Sequence, residues 1–134
     1  MRESLYKIVI SIILLTITQV GYSQLSDLHY LPPLKQSANN AAIQEQTIYL
    51  STPEISSFDV KIYRGTNTTE LATLSLSKST PQTYSPASGD NDITLVSDAH
   101  TGIVLSDGGL RFESASGEKF YVNYRGRSGK QAAS

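Results

Sequence analysis

Apolar and polar side chains alternate along most of the chain from Thr47 onward. Successive side chains of an extended backbone point to opposite faces, so a period of two marks a half-buried strand. Ile48 and Leu50 share one face there, and Thr47, Tyr49 and Ser51 share the other. The run Phe58-Asp59-Val60-Lys61-Ile62-Tyr63-Arg64 alternates without a fault and points Phe58, Val60 and Ile62 inward. Residues 65–69 read as a turn, and residues 70–77 return with Ala72, Leu74 and Leu76 on one side. Ile93 with Leu95, and Ile103 with Leu105, continue the pattern. Asp107-Gly108-Gly109 then supplies residues that tolerate positive φ, as a tight hairpin demands. Leu110 and Phe112 face in, with Arg111 and Glu113 out. After a turn at Ser116-Gly117, Phe120, Val122 and Tyr124 close the series against Lys119, Tyr121 and Asn123.

About seven to eight short strands, separated by turn signals at intervals of roughly 8–12 residues, predict an all-β antiparallel β-sandwich. Each strand has one apolar and one polar face, as a sheet buried on one side requires. A transmembrane barrel also alternates, but it would crowd Asp59, Lys61, Arg111, Glu113 and Lys119 into its lumen.

The N-terminus follows a different rule. Arg2 and Lys7 precede the apolar run of residues 8–18, IVISIILLTIT, and Gly21-Tyr22-Ser23 follows with small residues where a signal peptidase inspects the chain. This charged, apolar and small-residue order is that of a secretory signal helix, with cleavage between Ser23 and Gln24. The apolar run is about half of the roughly 20 residues a spanning helix needs, so no stable membrane span is expected after cleavage. The expected organisation is a signal peptide over residues 1–23, an extended polar segment with paired prolines over residues 24–46, and the sandwich over residues 47–134. Pro32-Pro33 forbids a helix in the middle segment. The chain is therefore expected to be exported, to the periplasm or, as part of a longer chain, to the cell surface or beyond.

Candidate chemistry is sparse. The chain contains no cysteine, which removes disulfides, thiolate metal sites and a cysteine nucleophile. Its formal charge is −1, no footprint for nucleic acid. The aromatic and basic residues 117–127 suggest a single-strand platform, yet alternation leaves Tyr121 alone outside, and a core strand with a solvated basic end is the better account. Only two histidines, His29 and His100, are present for acid–base or metal work. Two histidines and a distant carboxylate fall short of a metal site, so both read as loop or surface residues. Gly89-Asp90-Asn91-Asp92 places oxygen ligands at alternate positions, as a calcium loop does, but the later ligands are missing and an ordinary Asp/Asn turn is favoured. Neither a nucleophile elbow nor a phosphate-binding glycine loop is present. No catalytic residue, metal or cofactor is assigned. Loops on a rigid sandwich usually carry binding, which makes Asn67, Asp90, Asp92 and His100, in loops 65–69, 85–92 and 97–102, the candidate contact residues.

Four segments carry a family resemblance: Ser26-Asp27-Leu28-His29-Tyr30-Leu31-Pro32-Pro33-Leu34, then Ile48-Tyr49-Leu50-Ser51-Thr52-Pro53-Glu54, then Gly108-Gly109-Leu110-Arg111-Phe112, and residues 117–126. Together they resemble the N-terminal regions of large secreted surface proteins of the Bacteroidetes group, similar to the N-terminal domain named after the IgG Fc-binding protein. Such proteins often end in a gliding-motility-associated C-terminal domain that serves type IX secretion. The resemblance covers nearly the whole chain after the leader and implies no catalytic residues. It also implies a sandwich truncated at its C-terminus, because in that class the chain runs on well past the position of Ser134. The expected function is a non-catalytic module of adhesion or ligand-display type, with an unidentified surface or extracellular protein or glycan as partner. The alternatives are a structural spacer, or an accessory domain of a secreted hydrolase whose active site lies outside this chain.

Overall fold

Pairing of the alternating stretches produces two antiparallel sheets packed face to face. The structure, a computed structural model, describes residues 25–35, 43–86, 93–96, 98–100, 102–128 and 132–133. Its strands are β1 (Leu28–Leu31), β2 (Leu34–Lys35), β3 (Ile43–Ser51), β4 (Phe58–Arg64), β5 (Glu70–Leu76), β6 (Gln82–Tyr84), β7 (Leu95–Val96), β8 (Leu110–Ser114), β9 (Tyr121–Ser128) and β10 (Ala132–Ala133). The first sheet runs in the order β1-β8-β4-β5 and the second β10-β9-β3-β6, while β2 and β7 form a small parallel pair. Among the described residues the helical structure is one 3₁₀ turn, Asp98–His100. The all-β sandwich expected from the alternation is the fold.

The inward faces are those the period of two assigns. Phe58, Val60 and Ile62 of β4 are buried, as are Leu76 of β5, Leu110 and Phe112 of β8, Ile48 and Leu50 of β3, and Phe120 beside β9. Each such side chain contributes roughly 1.5–3 kcal/mol by leaving water. Ala72, Leu74, Val122 and Tyr124 pack around this cluster half-buried. Polar groups also reach the interior: the buried Gln46 side-chain oxygen accepts hydrogen bonds from the hydroxyl of Thr94, itself buried (2.5 Å), and from the Tyr124 hydroxyl (3.1 Å).

The chain passes between sheets at a tight corner after β5. Ser77 and Thr80 bridge one another, and the Lys78 N–H donates to the Glu54 carbonyl at 2.6 Å. The described residues flanking the paired prolines, Leu28–Leu31 and Leu34–Lys35, are extended, and the first of these stretches enters the first sheet. β1 pairs antiparallel with β8 from Leu28↔Glu113 to Leu31↔Leu110.

The stretch around Ile103 and Leu105 departs from the sequence reading. It forms no strand, and Ile103 and Val104 are exposed. β8 has two edges, and β1 and β4 occupy both. An alternating stretch with no ladder to join stays irregular, because its backbone groups must bond elsewhere. Gly109 accordingly does not close a tight hairpin from residues 103–105; its φ of +83° turns an irregular loop into β8.

Candidate functional site

The end of the sandwich where β4 stops and β8 begins gathers two of the expected contact loops. After Arg64 the chain turns, and the Gly65 N–H donates to the Gly109 carbonyl at 3.0 Å. The Thr66 N–H and hydroxyl both donate to the Ser106 carbonyl, at 3.0 and 3.1 Å. Arg64 reinforces the junction: its Nε donates to the Asp107 carbonyl at 2.9 Å, and Nη2 lies 3.4 Å from the Asp107 carboxylate. The loop of residues 102–109 is thus fastened to the β4–β5 turn.

Arg111 holds that turn from the outer face of the first sheet. Its guanidinium donates to the Gly65 carbonyl at 3.2 Å and the Asn67 carbonyl at 3.3 Å. It lies 4.4 Å from the centre of the Tyr63 ring, and its Nε is 3.6 Å from the Glu113 carboxylate. The Asn67 backbone is therefore fixed while the residue stays exposed.

A cleft of about 110 Å³ opens at this end, lined by Arg64, Leu95, His100, Leu105 and Asp107. His100 stands exposed on the 3₁₀ turn, where its carbonyl accepts from the Ile103 N–H at 3.1 Å. A guanidinium, an imidazole and a carboxylate surround a small opening with two leucine walls. Such a set offers donors and acceptors to a polar ligand and an apolar surface to its flank.

Asn67 and His100 are thus brought to one end of the fold. Asp90 and Asp92, with the calcium question attached to them, lie outside the described residues, as do Ser23 and Gln24. Among the described residues no three His, Cys, Asp or Glu side chains assemble into a potential metal site.

His29 is placed differently from the loop or surface reading. It sits half-buried on β1, with Nε2 2.7 Å from the Phe120 carbonyl and 3.2 Å from the Ser26 carbonyl. Both partners are acceptors, so Nε2 carries the proton and donates. The ring packs 4.8 Å from that of Phe120, beside the reciprocal Ser26–Phe120 backbone pair. This histidine clamps the approach to β1 against the residue that leads into β9.

The register of β3 with β9 builds a second surface. Tyr121 is not alone outside: Ser51 lies opposite Tyr121 and Tyr49 opposite Asn123, so two exposed tyrosines share the outer face of the second sheet. The Arg125 guanidinium lies 5.5 Å from the centre of the Tyr49 ring, and Arg127 is 3.7 Å from the Glu45 carboxylate. Alternation assigns each residue to an outer face, but only strand pairing brings them together.

No protein-family model, curated protein or solved structure matches the chain. Among the described residues no helix is long and apolar enough to cross a membrane.

Proposed function

We propose that this chain is a non-catalytic module of a secreted or cell-surface bacterial protein, of adhesion or ligand-display type. It contacts its ligand through the loop end that carries Asn67 and His100. The observation that carries this reading is the fastening of the 65–69 turn to the 102–109 loop beside the cleft of Arg64, His100 and Asp107. A rigid sandwich holding polar loops at one end suits recognition, because the scaffold bears the cost of ordering the loops before the ligand arrives. The secretory leader and the resemblance to N-terminal regions of Bacteroidetes surface proteins support export and display. In that setting the module belongs to a longer protein delivered by type IX secretion, in a gliding-motility-associated architecture.

The test is binding of the exported protein to an array of extracellular polysaccharides and matrix proteins. The His100→Ala/Asp107→Ala double variant should lose roughly tenfold or more in affinity, as expected when two polar contacts are removed. Its strand-rich circular dichroism should not change. Binding that is the same in both proteins would move the contact surface away from this end.

A further inference from the structure

Each sheet has two edge strands, and three of the four are blunted by length. β1 has four residues, β6 three and β10 two. Short edges offer few free N–H and C=O groups and resist pairing with another chain. β5 is the exception, with seven residues, Glu70–Leu76. It pairs with β4 on one side, and among the described residues no strand pairs with the other.

The usual protections are missing from this edge. A bulge between Ile62 and Tyr63 irregularises the turn end only, leaving Ala72 to Leu76 in unbroken register with β4. That stretch, Ala72-Thr73-Leu74-Ser75-Leu76, contains neither a charge nor a proline, and both are common guards of edges. Thr73 and Ser75 are exposed.

We infer that β5 is the interface of a symmetric homodimer, in which two copies pair antiparallel and join their first sheets into one. A two-fold axis normal to a sheet keeps each side chain on its own face, so residues of like orientation must oppose. An axis at Leu74 satisfies this: Leu74 opposes Leu74, Ala72 opposes Leu76 on the inner face, and Thr73 opposes Ser75 on the outer face. Hydroxyl side chains directly across a ladder are favourable neighbours, and this pair occurs twice by symmetry. A two-fold axis uses the same edge of both copies, so pairing there leaves neither β5 open and closes the assembly at two copies.

The exported protein should give twice the single-chain mass by light scattering at high concentration and dissociate on dilution. Thr73→Lys/Ser75→Lys sets like charges across the axis twice and should weaken the dimer roughly tenfold or more. Thr73→Lys/Ser75→Glu makes both contacts attractive and should restore it. If the lysine pair disturbs folding, Leu74→Cys reads the register directly. The natural chain has no cysteine, and residues opposed across a ladder are within disulfide reach. A covalent dimer on oxidation supports the assignment. A monomer at every concentration, a dimer indifferent to the lysine pair, or no cross-link at Leu74 overturns it.

Discussion

Gly109 and Gly117 both adopt positive φ, at +83° and +85°, yet their surroundings differ. A Cβ on Gly109 would fall 2.5 Å from the Leu31 carbonyl oxygen, whereas a Cβ on Gly117 would have nothing within 4 Å. Backbone strain alone costs about 1–3 kcal/mol at such a position. Gly117→Ala should therefore lose an amount in that range and Gly109→Ala clearly more, because backbone cannot move aside as a flexible side chain would. Urea denaturation of the two variants measures the gap, and equal losses would mean that the Leu31 carbonyl yields easily. Both glycines read as turn residues in the sequence; the difference between them depends on Leu31, a residue distant in the chain. His29 was illegible for the same reason. Its partners are the carbonyls of Ser26 and Phe120, and backbone acceptors leave no trace in residue identity.

At the level of elements, β8 is the hub of the first sheet, paired with β1 on one edge and β4 on the other. Phe112, fully buried at its middle, should cost about 3–5 kcal/mol when replaced by alanine. Val104, which is 95% exposed in the neighbouring loop, should change stability by about 0.5 kcal/mol or less on the same replacement. Chemical denaturation distinguishes the two, and comparable effects would contradict the burial that separates them. Strand faces were legible because alternation is a local property, and Phe58, Val60, Ile62, Leu110 and Phe112 all point as it predicts. Partners were not legible. Ile103 and Leu105 alternate like a strand but find both edges of β8 taken. Tyr49 joins Tyr121 only because Ile48 pairs with Tyr124, a register that no short window of sequence encodes. The candidate site was legible only in part: the loops holding Asn67 and His100 were identifiable as loops, but Arg64, Arg111 and Asp107 read simply as strand and turn residues.

For the whole molecule, ionisation sets the limits of stability. Burial raises the hydroxyl pKa of both Tyr84 and Tyr124 above the ordinary value of 10.0. The unfolded chain then ionises first, so their contribution is complete below pH 10.0 and is lost as pH rises through the raised values. On the acid side, a hydrogen bond from Thr73 and, secondarily, the Lys61 ammonium lower the Glu70 carboxyl below 4.5. Hydrogen bonds led by that of the Ser116 hydroxyl lower Glu118 likewise. Their contribution is present above 4.5 and is lost as pH falls through the lowered values. Thermal unfolding across pH should show loss on both flanks, and Tyr84→Phe/Tyr124→Phe should soften the alkaline one alone. An alkaline flank that persists undiminished would assign it to other groups. The ladder that ties Leu28 to Glu113 also governs timing. The β4–β5 hairpin can zip locally, but the first strand must wait for β8, far later in the chain, and β3 must likewise wait for β9. Such distant closures are slow. While β8 and β9 are still held in a ribosome or a pore, the domain stays threadable, and it gains its final shape only when both strands emerge.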